Sequence, residues 1–193
     1  MNLLKCLTFA LLIVISACSR TPLQPALPAK DTDLTTIQHW QLRGKIGLRG
    51  TDFAESAYIN WQQCIDNFTA QLNGPLGTGS VRLTGNSDRT TITTADESFS
   101  TNSPQQWLFD HFGWQLPVMH LPYWLKGIPA PGLPHQPIEQ GFEQLGWHIL
   151  QLRHLSIERH LMPAKLIIQN PELKITLIIK DWQLSPNCQA TPS

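Results

Sequence analysis

The sequence predicts a mainly β protein, built on a curved antiparallel sheet with short helices that cover its apolar side or plug its mouth. Three observations predict it. Short runs alternate with period two in the first half, turn signals separate them at intervals of about ten residues, and alternation returns after a helical middle segment. Such spacing suits an antiparallel meander that curls toward a barrel.

Four alternating runs occupy the first half of the folded part. Each places apolar side chains on one face and polar side chains on the other, as in a half-buried strand. Residues 89–101 are rich in threonine and also favour strands. The apolar positions of the four runs are Trp40, Leu42, Ile46 and Leu48, then Ala57, Ile59 and Trp61, then Phe68, Ala70 and Leu72, and finally Val81 and Leu83.

The middle of the chain is helical in pattern. Ser103 as N-cap, Pro104 at the first helical position and Gln106 three residues after the cap predict a capping box. A second short helix is predicted over 118–126. Residues 129–137 are predicted as a loop, and alternation returns over 149–161, 165–169 and 173–180.

The N-terminus has the pattern of a bacterial lipoprotein signal, with Lys5, an apolar segment and Ile15-Ser16-Ala17-Cys18. A secretory peptide with an accidental cysteine is the alternative. We expect cleavage of residues 1–17, acylation of Cys18 and a membrane anchor made of fatty chains. Ser19 stands where enterobacterial lipoproteins of the inner membrane commonly have aspartate, which points to the outer membrane.

The organisation predicted after the signal has three parts. Residues 18–33 contain the lipidated cysteine and a Pro-rich tether, 34–184 form one folded domain, and 185–193 form a flexible tail. Charge is balanced, with 14 basic and 14 acidic residues, and no basic cluster indicates nucleic acid. Cys64 and Cys188 form a disulfide or remain free; the sequence leaves both open.

Catalytic motifs are not found in the sequence, so we expect no enzyme activity, no catalytic residue, no metal and no cofactor. His111 and His120 flank an aromatic segment, where ordinary packing is the alternative to a metal site or a base. Leu76 lies in a tight Gly-Pro-Leu-Gly turn, where it either projects or folds back onto the core. The aromatic segment itself either packs on the sheet or covers a pocket for acyl chains.

Several motifs together resemble the LolB family. They are the lipoprotein signal, Arg43-Gly44-Lys45-Ile46, Trp61, Gly74-Pro75-Leu76-Gly77, Trp124-Leu125-x-Gly127-x-Pro129, Met162-Pro163-Ala164 and Asp181-Trp182. The resemblance runs from the signal to about Leu184. The family's loop has Asn or Ser before Pro-Leu-Gly, so Gly74 departs from the pattern while keeping the turn.

The resemblance implies an unclosed antiparallel β-barrel with short helices on its concave side, shared with the periplasmic carrier LolA. It implies a monomeric receptor facing the periplasm, which accepts lipoproteins from a LolA-like carrier and inserts their acyl chains into the inner leaflet of the outer membrane without nucleotide hydrolysis. Leu76 would then project, enter the lipid and bring the cavity mouth to it. An envelope scaffold and, less favoured, a lipid-modifying enzyme are the alternatives.

The apolar face supplies candidates for the wall of an acyl-binding cavity. Period two shows which residues share a face, but it does not show whether that face lines a cavity or a packed core. The candidates are Trp40, Leu42, Ile46, Ile59, Trp61, Phe68 and Leu72 from the strands, and Trp107, Phe112, Met119, Leu121 and Trp124 from the helical segment.

Overall fold

The computed structural model of the protein describes residues 33–75, 79–112 and 115–188, without the side chain of Phe112. The predicted signal peptide, Cys18 and the tether up to residue 32 lie outside the described residues, as do Leu76 and Gly77. The described part contains eleven strands and two α-helices.

The strands form one open antiparallel sheet. They are His39–Arg49 (β1), Ala54–Cys64 (β2), Asn67–Asn73 (β3), Ser80–Gly85 (β4), Thr90–Thr93 (β5), Ser98–Thr101 (β6), Gln136–Ile138 (β7), Gly141–Gln144 (β8), Trp147–Ile157 (β9), His160–Gln169 (β10) and Lys174–Leu184 (β11). Their order is β6-β5-β4-β3-β2-β1-β11-β10-β9-β8-β7, so β6 and β7 are the two edges. The predicted class, a mainly β protein with an unclosed antiparallel sheet and short helices, is confirmed.

Strand β1 lies in the middle of the sheet, between β2 and β11. Its apolar positions are buried or half-buried, whereas Arg43 and Lys45 are exposed. Gly44 lies where the register between β1 and β11 shifts, and a Cβ there would collide with the carbonyl oxygen of Ile178. The glycine between the two basic residues is therefore explained by the close approach of two backbones.

One cluster of buried side chains joins the sheet to the helical segment. Burial of this apolar surface is the main source of stability for such a fold. From the sheet the cluster includes Trp40, Leu42, Ile46, Ile59, Trp61, Phe68, Ile149, Met162, Leu166, Ile168, Ile175, Leu177, Ile179 and Trp182, and from the helical segment Leu108, Leu116, Val118, Leu121, Trp124 and Leu125.

The helices are Pro104–Phe112 (α1) and Leu121–Trp124 (α2), and a 3₁₀ turn precedes α2. The predicted capping box at the start of α1 is wrong. The side-chain amide of Gln106 donates to Asp110 Oδ1 at 2.9 Å, and the backbone N–H of Ser103 donates to Thr101 Oγ1 at 3.0 Å. The Gln106 side chain and the Ser103 backbone N–H therefore bond to other nearby groups and not to each other.

Two hairpins were not predicted correctly. Alternation over 149–161 suggested one continuous strand, but β9 ends at Ile157 and β10 begins at His160. Glu158 has a φ of 54°, a left-handed conformation that its residue type does not signal. The hairpin of β7 and β8 begins inside the predicted loop, because strands of three and four residues are too short to show a period.

Candidate functional site

A row of aromatic side chains crosses the apolar face where β11, β1, β2 and β3 lie side by side. The ring centroids of Trp182 and Trp40 are 5.4 Å apart, those of Trp40 and Trp61 are 6.3 Å apart, and those of Trp61 and Phe68 are 5.2 Å apart. Trp61 Nε1 donates to Gln63 Oε1 at 3.0 Å, which satisfies a buried polar group. The row therefore forms an apolar surface in which the indole N–H groups of Trp61 and Trp182 have hydrogen-bond acceptors.

Residues 116–130, here called the covering segment, pack on this face. Trp124 is fully buried, and its Nε1 donates to Gln144 Oε1 at 2.8 Å. Gln144 is 1% exposed and also bonds to both the backbone N–H and the carbonyl oxygen of Ala130. One glutamine on β8 therefore holds two points of the covering segment. Nothing in the sequence around Gln144 signals this role.

A glycine and a glutamine make the next attachment of the covering segment. Gly127 has a φ of +76°, and a Cβ there would collide with the side chain of Gln151. Gln151 Nε2 donates to the carbonyl oxygen of Gly127 at 2.7 Å. The left-handed backbone conformation therefore favours glycine at this position, and the missing side chain leaves room for the Gln151 amide.

Lys126 makes the third attachment, and it is a buried cation. The side chain is 4% exposed, and Nζ donates to the carbonyl oxygens of Leu34 and Ile37, each at 2.9 Å. Nζ also lies 5.6 Å from the centre of the Tyr123 ring. Burial lowers the pKa of Lys126 to about 8, with partial compensation from the charge of Asp33. Sequence reasoning missed this residue.

A small cavity lies between the covering segment, the start of β1 and the β2–β3 turn. Its volume is about 240 Å³, below the roughly 300–1,000 Å³ of typical ligand pockets. Away from this cavity, Leu42, Ile46 and Trp61 are at most 9% exposed, so the apolar face is covered there rather than open to solvent. The lining includes Ile37, Trp40, Ile65, Phe68, Met119, Tyr123 and Lys126.

The structure brings most of the predicted cavity residues into one core. Trp40, Leu42, Ile46, Ile59, Trp61, Phe68, Leu121 and Trp124 belong to the buried cluster, and Leu72, Trp107 and Met119 are half-buried against it. Among all these, Trp40, Phe68 and Met119 line the small cavity. The side chain of Phe112 lies outside the described residues. That this face binds acyl chains stays a prediction.

The Gly74-Pro75-Leu76-Gly77 loop is described only in part. Pro75 is exposed, and the backbone N–H of Gly74 donates to the carbonyl oxygen of Gly79 at 3.0 Å. The loop follows β3, whereas the small cavity lies beside the turn that precedes β3. At about 3.4 Å per residue, the seven residues of β3 separate the two by roughly 20 Å. This cavity is therefore not beside the loop.

Cys64 and Cys188 form a disulfide, which resolves the alternative left open by the sequence. Their Cα atoms are 5.9 Å apart, and His39 Nδ1 lies 3.2 Å from the sulfur of Cys188. Within the described ranges, these three residues are the one group with metal-ligand spacing, and its two sulfurs are bonded to each other. The bridge ties the start of the predicted tail to the end of β2.

His111 and His120 lie in separate aromatic environments. His111 stacks on Trp107 with ring centroids 4.1 Å apart, and its Nδ1 lies 2.9 Å from the carbonyl oxygen of Trp107. His120 lies beside Trp124, with centroids 6.0 Å apart, and burial lowers the pKa of His120. The structure therefore favours the packing interpretation for both residues.

In the part of the chain that the structure describes, no helix has the length and apolar character needed to cross a membrane. The fold and the site together define a class of protein: an open antiparallel sheet whose apolar face is covered by a short helical segment, with a buried lysine at one end.

The family model described as "Outer membrane lipoprotein LolB" matches residues 38–182, and the chain belongs to this family. The outer-membrane lipoprotein LolB of Pseudomonas putida KT2440 is 31% identical over 95% of this chain and 97% of its own length. That of Chromohalobacter salexigens is 37% identical over 78% and 73%. A LolA superfamily protein of Nitrosomonas europaea has a TM-score of 0.49, with 10% identity over 81% and 89%. The family resemblance seen in the motifs is confirmed.

Proposed function

We propose that this chain is an outer-membrane receptor that accepts lipoproteins from a LolA-like periplasmic carrier and inserts their acyl chains into the inner leaflet. The observation that carries the proposal is the apolar sheet face under the covering segment, in a chain whose family match spans nearly the whole sheet. A face covered by a short segment can be uncovered without breaking the sheet. It is therefore suited to reversible contact with lipid.

The small volume of the cavity supports a step in which the covering segment moves away from the sheet. Each buried methylene is worth roughly 0.8 kcal/mol, so an acyl chain needs a continuous apolar surface. The cavity of about 240 Å³ does not offer that surface while the covering segment stays in place. We infer that bound chains replace contacts of the covering segment, which is attached by Gln144, Gln151 and the carbonyl partners of Lys126.

Transfer of this kind needs no nucleotide, cofactor or catalytic residue. An acyl chain that moves from one apolar surface to another stays buried, so the free energy of transfer is small. Direction follows from relative affinity: the receptor binds the chains better than the carrier does, and the bilayer holds them better still. We propose that the receptor acts as a monomer and is not an enzyme.

Two contacts with the same membrane complete the proposal. Acyl chains on Cys18 anchor the protein, and residues 18–33 form a tether that reaches roughly 3.1 Å per residue when extended. Leu76 supplies a second, transient apolar contact on the folded domain. Because the described cavity lies at the other end of β3, we infer that cargo chains leave along the apolar face rather than through that cavity.

Site-specific photo-crosslinking tests which face meets the cargo. A benzoylphenylalanine replaces Leu72, which is half-buried against the core, or Gln71, its neighbour on the same strand with the opposite facing. We expect crosslinks to the acyl chains of a bound lipoprotein from position 72 and at least about tenfold fewer from position 71. Equal labelling from both positions would overturn the proposed site. No bound lipoprotein at all would favour an envelope scaffold.

A further inference from the structure

The ammonium group of Lys126 has capacity for another hydrogen bond. A lysine ammonium has three N–H donors, and the structure gives it two carbonyl acceptors, those of Leu34 and Ile37. Among the described residues, no carboxylate lies within ion-pair distance of Lys126 Nζ. Lys126 lines a cavity, so an oxygen of a ligand in that cavity can accept from the third N–H.

The surroundings of Lys126 determine what kind of ligand fits. The cavity that it lines also contains the side chains of Trp40, Phe68 and Met119, which suit an alkyl chain. Exposed Asp66 is part of the same lining, and the charge of Asp33 is felt at Nζ. With the charge of Asp33 already acting on the cation and Asp66 in the same cavity lining, a neutral oxygen acceptor is favoured over a further anion such as a phosphate.

We propose that the Lys126 cavity is the site for the carbonyl end of an acyl group, with Nζ donating to an ester or amide oxygen and the alkyl chain continuing along the apolar face. The inference rests on the proposed function and names the part of the cargo that this end of the site recognises. The cavity volume of about 240 Å³ agrees with this proposal, because the carbonyl end of an acyl group needs less room than the whole acyl chain.

A matched pair of ligands isolates the carbonyl. Methyl decanoate and methyl decyl ether have similar alkyl chains, and only the ester has a carbonyl oxygen. Binding to the full chain carrying Cys18→Ala is followed by tryptophan fluorescence, since Trp40 lines the cavity. We expect the ester to bind about tenfold more tightly than the ether, as for a hydrogen bond to a charged donor.

Three variants test whether Lys126 causes the preference for the ester over the ether. Lys126→Met should weaken ester binding about tenfold and leave ether binding unchanged, so that the ratio falls to about one. Lys126→Arg should keep most of the preference. Lys45→Met, at an exposed lysine of the outer face, should behave like the parent chain.

The possible outcomes distinguish failure of the carbonyl site from failure of the proposed acyl-binding function. If the parent chain binds both ligands equally, or Lys126→Met keeps the ester preference, the carbonyl site is wrong while acyl binding stands. If the parent chain binds neither ligand, the proposed acyl-binding function fails as well. If Lys126→Met does not fold, the ester-to-ether ratio of the parent chain decides alone, and a ratio of one overturns the inference.

Discussion

The indole N–H of Trp124 donates to the side-chain oxygen of Gln144 at 2.8 Å, although the two residues are twenty positions apart and lie on α2 and β8. Both side chains are almost fully buried. The same glutamine also bonds to the N–H and carbonyl oxygen of Ala130. A single polar side chain therefore fixes the covering segment to the sheet through three hydrogen bonds.

Replacing Gln144 by leucine should destabilise the protein by roughly 2–4 kcal/mol, because three buried polar groups lose their partner. Urea unfolding followed by tryptophan fluorescence measures the free energy of unfolding. Gln183→Leu is the matched control, since Gln183 is exposed on β11, and it should change stability by less than about 0.5 kcal/mol. A loss below 1 kcal/mol for Gln144→Leu would show that the contact is dispensable.

The stability of the protein should rise with pH between about 8 and 10.5 through Lys126. Burial lowers the pKa of Lys126 from 10.5 to about 8, so the folded state binds fewer protons than the unfolded state in this window. Below pH 8 both states are protonated, and this contribution is flat. The unfolding free energy of wild type minus that of Lys126→Met should increase by on the order of 2 kcal/mol across the window.

Lys45→Met serves as the control for this pH series, because Lys45 is exposed on the outer face. It should show the same pH dependence as wild type. A flat difference between wild type and Lys126→Met from pH 8 to 10.5 would mean that Lys126 is solvated rather than buried.

Features set by neighbouring residues could be predicted from the sequence, whereas contacts between residues far apart in the sequence could not. Period two is local, so the shared face of Trp40, Leu42 and Ile46 was predictable from a few residues. The bond from Lys126 to Leu34 spans 92 positions, and no local pattern announces it. The pairing of Cys64 with Cys188 likewise needed the fold, because β1 must first bring β2 and β11 together.

Loss of the disulfide should destabilise the protein without abolishing binding. The bridge joins residues 124 positions apart, and closing so long a loop is worth about 4–5 kcal/mol in the chain-entropy estimate. The double variant Cys64→Ser with Cys188→Ser should therefore lower the free energy of unfolding by roughly 2–5 kcal/mol. Thiol labelling of unfolded, unreduced wild type should find both cysteines blocked. Free thiols at these positions would contradict the bridge.

Replacing Leu76 by glutamate should leave folding and the acceptance of cargo intact but slow release into liposomes about tenfold, because a charged tip is unfavourable in the lipid surface. The release rate of a labelled lipoprotein from preloaded receptor measures this. Leu145→Glu is the matched control, since Leu145 is 49% exposed in the turn between β8 and β9. Release by Leu76→Glu at the wild-type rate would refute the role of the loop.

Transfer from the carrier tests the central claim most directly. The chain carrying Cys18→Ala is mixed at equal concentration with a LolA-like carrier loaded with an acylated lipoprotein, without nucleotide, and the two complexes are separated by affinity capture. We predict that most of the cargo moves to the chain. A non-acylated version of the cargo should bind neither protein. Retention of the acylated cargo on the carrier at equimolar chain would contradict the account.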